Sequence, residues 1–395
     1  MTSRPSLWTR SSSPRDRDDH RSVTFLELFY DLVFVVLVAQ IAHSLAGHPD
    51  VKGFATYAFL FTMVWWVWAN GTMYHDLHGS DDVRTRFFTF LQMIAVGAMA
   101  AFAHHAIGED SIPFALSYAA LHAILTYLWW SSGRHNPEHR VLSTPWAATF
   151  AFTTLLILIS VFVPEPIRYW LWGASIVIDL ALPFVQNLTM SDAAREEQQR
   201  IDLVTHSLTE RFGLFTIIVL GEIMVGAIAI LSEHDTVTPA GIALFVLAML
   251  FGIGLWWLYF DALGLRKPVK GQRATLMWLF AHLLVAMGIA AVGADISSIA
   301  EYGEDPLHAQ DIAWILIASV VITLLGVAAL IWVRDDAEEE RSNAEIAFVL
   351  GAAVLAVVVG FVLQPSLWFF GALVALVSIP PAVRLFALSR QPEEA

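Results

Sequence analysis

Nine polar side chains stand within apolar runs of this sequence, or at their ends: Glu27, Asp31, Asn70, His122, Asp179, Glu210, Arg211, Glu222 and Asp261. A charged group at the centre of a membrane helix costs roughly 2.5–3.5 kcal/mol on insertion scales, so such groups are functional candidates by default. Glu27 and Asp31 lie one turn apart on one helix face. Glu210 and Arg211 enter a later helix at similar depth, and Asn70 and Asp261 close two others on the same side. These placements predict a polar cluster in the cytoplasmic half. Arg211 is the expected counter-ion to one of its carboxylates, because a buried charge without a partner is rarely tolerated. The competing reading of Glu27 and Asp31 is a pair of interfacial anchors. Glu222, in Gly221-Glu222-Ile223, falls eleven residues after Arg211, within about 20° of the same helix face and about 16 Å along the axis. Asp179, in Ile178-Asp179-Leu180, is a second mid-span acid, and His122 a mid-span imidazole. All three are candidate proton carriers, or else groups satisfied by hydrogen bonds inside a helix bundle.

No pattern names a bond-making reaction. The chain has no HExxH, no phosphate-binding Gly-rich loop, no dinucleotide fingerprint and no G-x-S-x-G. His104 and His105 are adjacent, so a regular helix turns them about 100° apart and away from a common ion. His75 and His78 are three apart at a helix end, where interfacial histidines are ordinary. The expectation is therefore no catalytic residue, no metal and no cofactor, with a non-enzymatic role favoured over an enzymatic one.

The elements that position these groups follow from composition. Of 395 residues, 57% are hydrophobic and 15% charged, with mean hydropathy +0.62; a soluble domain carries roughly 25% charged residues. There is no Cys, and the net charge of −14 excludes a nucleic-acid partner. Apolar stretches long enough to cross a bilayer fall at 24–46, 54–74, 86–107, 113–133, 144–163, 167–186, 208–231, 240–260, 275–296, 312–333, 344–363 and 366–388. The fold class is all-α: a polytopic membrane protein of about 12 transmembrane helices. With the N-terminus inside, every Lys and Arg except Lys52, Arg168 and the intraspan Arg211 lies on the inner side, which places both termini in the cytoplasm. Residues 1–22 and 390–395 read as cytoplasmic tails, the first of them disordered.

The polar stretch 187–207 divides the spans six and six, and the halves 23–186 and 208–389 echo each other. Glu27-Leu28-Phe29 opens helix 1 and Glu210-Arg211-Phe212 helix 7. Trp66-x-Trp68-x-Asn70 ends helix 2 and Trp257-x-Tyr259-x-Asp261 helix 8; Gln92 and His282 hold like places in helices 3 and 9. Six spans is an even number, so the halves make a parallel repeat. Most tryptophans are expected in belts at span ends or in the core.

The run Phe25-Leu26-Glu27-Leu28-Phe29-Tyr30-Asp31-Leu32-Val33-Phe34-Val35, followed by Gln40 and His43, resembles the opening motif of the bacterial low temperature requirement A family. So do Glu210-Arg211-Phe212-Gly213-Leu214 with Leu220-Gly221-Glu222, and Trp256-Trp257-Leu258-Tyr259-Phe260-Asp261. The resemblance covers the chain from about residue 20. It implies a membrane protein tied to growth in the cold and no established biochemical activity. Phe29-Tyr30-Asp31-Leu32-Val33-Phe34 and Trp68-x-Asn70 are more faintly similar to the six-span repeats of lysosomal and prokaryotic potassium channels. That likeness implies that helices 1 and 7 line a conduit and that a homodimer supplies four pore helices. It departs at Tyr30, where those channels carry serine, and at Leu214, where they carry aspartate.

The sequence thus reads as a transporter or ion or proton conduit working through acidic residues on helices 1 and 7. Its partners are the lipid bilayer and a small ion or solute. An intramembrane enzyme acting on lipid or quinone, and a membrane-state sensor or scaffold for cold growth, are the alternatives.

Overall fold

The structure is a computed structural model that describes residues 22–79, 82–135, 140–190, 204–232, 237–264, 266–302, 306–335, 339–363, 366 and 368–378. Nearly all of the expected tail 1–22, the tail 390–395 and most of the linker 187–207 lie outside the described residues. Those residues form twelve helices and no strand. They are α1 (Phe25–Ala46), α2 (Val51–His78), α3 (Val83–Phe102), α4 (Ser111–His135), α5 (Arg140–Ser160), α6 (Ile167–Thr189), α7 (His206–Ser232), α8 (Pro239–Leu263), α9 (Gln272–Tyr302), α10 (Pro306–Val333), α11 (Glu339–Val362) and α12 (Trp368–Ser378). All but α2 and α12 are long and apolar enough to cross a membrane. The chain is an all-α, multi-pass membrane protein. The 28 residues of α2 have the length but are diluted by Trp, Tyr and Asn.

Helix starts follow local chemistry. Thr24 and Glu27 form a reciprocal capping box at α1: Glu27 N donates to Thr24 Oγ1 (3.3 Å) and Thr24 N to Glu27 Oε2 (2.9 Å). Asp82 caps α3 through Thr85 N, and Thr205 caps α7 through Leu208 N. Thr238 caps α8 ahead of Pro239, whose missing N–H costs nothing at the first helical position. At its other end α8 stops at Gly264, with φ of 54°, a conformation glycine adopts without strain.

The chain divides into two compact units, residues 1–41 with 59–211 and residues 42–58 with 212–395. In the first, α3 to α6 pack as consecutive neighbours. Trp65, Trp66 and Trp68 of α2 are buried there with Trp129 of α4 and Trp172 of α6, so these five are core residues; Trp130 and Trp170 take exposed, belt-like positions.

In the second unit, α9, α10 and α11 pack in sequence. Glycines set the spacing of α9 and α10: a Cβ at Gly288 would fall 2.7 Å from Ser319 O, and one at Gly326 would fall 2.9 Å from Ala281 O. Backbones that approach this closely are how membrane helices gain contact without a hydrophobic drive between them. The loop after α8 is strapped to the end of α10 by Val269 N to Val333 O (2.7 Å) and Asp335 N to Lys267 O (3.1 Å). Val354, Leu355, Val358 and Phe361 of α11 are exposed, as a lipid-facing helix requires. The largest departure from sequence expectation is α9, which runs to Tyr302, six residues past the expected end, and carries Asp295 well inside the helix.

Candidate functional site

Three helices meet at Asp31 in the first unit: α1, which carries it, α2 through Trp68 and the start of α7 through Arg211. The carboxylate accepts from Arg211 Nη2 (2.6 Å to Oδ1) and Nε (3.1 Å to Oδ2), and from Trp68 Nε1 (2.9 Å to Oδ1). Neither Asp31 nor Arg211 has any exposed surface. A planar guanidinium meeting both carboxylate oxygens gives charge-assisted bonds of fixed geometry, which a lysine ammonium would not reproduce. The counter-ion expected for Arg211 is therefore Asp31. Glu27 stands off, its Oε1 at 3.9 Å from Arg211 Nη1, while Oε2 is held in the capping box.

Tyr30 extends the centre. The Arg211 guanidinium sits 5.7 Å from the centroid of its ring, a cation–π distance. Its hydroxyl donates to Gln92 Oε1 (3.0 Å), and Gln92 Nε2 lies 3.3 Å from His75 Nε2. Gly71 of α2 makes this possible: a Cβ there would collide with the Tyr30 hydroxyl. His78 turns instead to Ser132 Oγ (3.1 Å from Nε2), so the two histidines three apart go to different partners. At the base of the group, Thr205 Oγ1 donates to Asp76 Oδ2 (2.8 Å) and ties the start of α7 to the end of α2.

Asn70 and Glu210 lie in the same unit but outside this centre. Asn70 is buried and donates back to Trp66 O of its own helix (2.8 Å). Glu210 is half-buried and has no hydrogen bond or ion pair among the described residues. The cluster expected of all these groups is thus narrower, being Asp31 and Arg211 with Glu27 beside them.

A second centre in the first unit joins α4, α5 and α6. His122 Nε2 and Asp179 Oδ2 face each other at 3.9 Å, both fully buried. Thr153 Oγ1 lies 3.1 Å from Asp179 Oδ1 and 3.5 Å from His122 Nδ1. The sequence offered Asp179 and His122 as separate candidates; packing makes them one site. Asp179 Oδ2, His122 Nε2 and the Tyr118 hydroxyl make no hydrogen bond among the described residues. The Tyr118 and His122 rings are in contact, with centroids 4.4 Å apart.

Glu222 and Asp261 belong to the second unit, and both are half-buried. Glu222 packs where α7 meets α9: a Cβ on Gly293 would fall 2.7 Å from Glu222 Cβ. Asp261 lies in the last turn of α8, next to Ala262, whose carbonyl accepts from Arg334 Nη1; Nη2 of that arginine pairs with Glu345 Oε2 (3.0 Å). His282 is fully satisfied, with Nδ1 2.8 Å from Trp278 O and Nε2 2.9 Å from the Tyr259 hydroxyl. A carbonyl only accepts, so Nδ1 carries the hydrogen and Nε2 accepts from Tyr259.

Sequence reasoning missed Tyr30, Trp68, Gln92, Thr153, Asp295 and Ser319 as parts of polar centres. Asp295 was the one with a readable signal, an acid followed by more helix-forming residues in Ala294-Asp295-Ile296, but it stood at the expected edge of an apolar run. Chemically, the first unit holds an internal ion pair and an acid–imidazole pair. Among the described residues, no group of three or more His, Asp or Glu side chains is arranged to hold a metal ion.

Comparison with known proteins adds the lineage. The sequence profile of the Bacterial low temperature requirement A protein (LtrA) family matches residues 22–382. The chain is also similar to the uncharacterized protein RA0937 of Rhizobium meliloti (strain 1021), with 28% identity over 302 residues, 72% of this chain and 71% of the relative.

Proposed function

The chain belongs to the bacterial low temperature requirement A family, and on that premise we propose that it is a transporter or ion or proton conduit of the inner membrane, with both termini in the cytoplasm. The observation that carries this reading is the Asp31–Arg211 pair, buried without exposed surface in a chain of membrane helices. Stability alone is a poor reason to keep such a pair, since apolar residues of similar volume often do as well or better. A pair that opens and closes as a charge passes is a good one. In this reading α1 and α7 carry the working groups. Asp31 and Arg211, with Glu27 beside them, form the inner network of the first unit, and Glu210 and Asn70 lie in that unit outside it. The Asp179–His122 pair of the first unit, with Glu222 and Asp261 of the second, are further candidate groups. The like openings of α1 and α7, Glu27-Leu28-Phe29 and Glu210-Arg211-Phe212, support a parallel six-helix repeat.

The test is flux in proteoliposomes. Wild type, Asp31→Asn, and Asp31→Asn with Arg211→Gln are placed under proton and potassium gradients in turn, with lumenal pH followed by a trapped dye. Wild-type flux that falls at least tenfold in both variants is expected. Equal flux in all three would sink the assignment of α1 and α7. Flux that requires potassium would mark coupled or cation transport; flux that does not would mark a proton conduit.

A further inference from the structure

The second unit contains a buried carboxyl that the reading above does not use. Asp295 lies in α9 with no exposed surface. Its Oδ2 is 2.8 Å from Ser319 Oγ of α10, and its Oδ1 makes no hydrogen bond among the described residues. No Lys, Arg or His among those residues pairs with it. Tyr57 of α2 is the titratable group beside it, and Glu222 of α7 is a second acid beside Tyr57. Tyr57 lies within electrostatic reach of both acids, and its hydroxyl donates to Met287 O (2.6 Å).

Ser319 Oγ is 2.8 Å from Asp295 Oδ2 and also 2.8 Å from Ile315 O of its own helix. A serine hydroxyl has one hydrogen, so it satisfies one of these contacts at a time. If the hydrogen points to Asp295, Oδ2 accepts it and needs no hydrogen of its own, so the acid can stand as a carboxylate there. If it points to Ile315 O, the acid must bring its own hydrogen to Oγ. Both arrangements fit the same heavy-atom positions, which the close approach at Gly288 and Gly326 holds fixed. The site therefore accommodates gain and loss of a proton by rotation of a single hydroxyl.

We propose that Asp295 and Ser319 form a proton-exchange site of the second unit, at which Asp295 takes up and releases a proton while the Ser319 hydroxyl turns between Ile315 O and Asp295. On uptake an O–H bond forms at Asp295 Oδ2 as hydronium becomes water; on release that bond breaks and water takes the proton back. The proposal deepens the proton-linked reading of the protein and rests on it for its purpose. Asp179 with Thr153 is a like arrangement in the first unit: Thr153 Oγ1 is 3.1 Å from Asp179 Oδ1 and 3.1 Å from Thr149 O. The two acids sit in the sixth and ninth helices, so their likeness does not follow from the six-helix repeat.

The experiment is infrared difference spectroscopy of the full chain in liposomes, stepped between acidic and alkaline buffer, on wild type, Asp295→Asn and Ser319→Ala. A carboxyl C=O band should appear in the wild-type difference spectrum, be lost in Asp295→Asn, and shift in frequency in Ser319→Ala. A static helix staple predicts otherwise, because asparagine keeps the hydrogen bond and exchanges no proton: a band set unchanged in Asp295→Asn overturns the site. Should Asp295→Asn fail to fold, Ser319→Ala decides alone, an unshifted spectrum overturning the proposal. Flux on the same liposomes separates the two readings. Band loss without any wild-type flux keeps the site and removes the transport reading; flux with an unchanged band set does the reverse.

Discussion

Arg211 lies side-on against Asp31, with Nη2 2.6 Å from Oδ1 and Nε 3.1 Å from Oδ2, and the indole of Trp68 supplies a third donor to the same carboxylate. The 180 positions between the two residues put the pair beyond any local rule of helix or loop. The contact joins the first helix to the first turns of the seventh, inside one compact unit. Its energetic character is lopsided, because removing one charge strands the other without exposed surface and without its partner.

Single neutralisation should therefore be worse than double. Asp31→Asn and Arg211→Gln are each expected to lower stability by about 3–5 kcal/mol, the range for breaking a buried pair. The double variant should recover a large part of that loss. Unfolding of the purified protein in detergent, read as a double-mutant cycle, checks it; losses that simply add would show that the two side chains do not depend on each other.

Trp68→Phe keeps most of the aromatic volume and deletes the indole donor to Asp31. A hydrogen bond to a charged group is worth about 1.5–3 kcal/mol, and a destabilisation of that size is expected. If Asp31 has already been replaced by Asn, the same change should cost about half as much or less. Thermal unfolding of the four proteins measures the difference.

The acid–imidazole centre depends on Thr153. Thr153→Val is close to isosteric and removes the hydroxyl that lies against Asp179 Oδ1, leaving that oxygen without its hydrogen bond. A loss of about 1–3 kcal/mol follows from the desolvation cost of an unsatisfied buried group. The double variant Thr153→Val, Asp179→Leu should regain part of it, and equal stability of Thr153→Val and wild type would contradict the geometry.

Glycines divide by what stands opposite them. Gly293→Ala would push a methyl group to within 2.6–2.8 Å of Glu222 and should cost about 1–3 kcal/mol through overpacking. Gly221 and Gly351 are helical with nothing within 4 Å of the added carbon. Alanine at either should be neutral or stabilise by up to about 1 kcal/mol, because glycine in a helix gives up more backbone entropy on folding. Melting temperatures in one detergent, compared across the three variants, settle the order.

The membrane class, the helical content, most helix positions and the family are legible in one dimension, because each rests on local quantities: hydropathy over about twenty residues, caps such as Thr24-x-x-Glu27, and short motifs. The sequence also put Asp31, Arg211, Asp179 and His122 forward individually, since an ionisable group in an apolar run is visible without knowing its neighbours. Tertiary structure alone decided who meets whom. Arg211 had four carboxylates within the expected cluster and takes Asp31, while Glu27 turns to its own helix start. Asp179 and His122, 57 positions apart, become one centre through Thr153. Gln92 and Trp68 are unremarkable in one dimension and become partners of Tyr30 and Asp31 only once α1, α2 and α3 are packed. Asp295 shows the same limit most plainly: apolarity falls away toward the end of α9, so its helix read as finished at the point where close packing on α10 buries it. Hydropathy measures a segment's affinity for lipid, whereas burial of a particular carboxyl depends on the helices that close around it, and that information is spread along the whole chain.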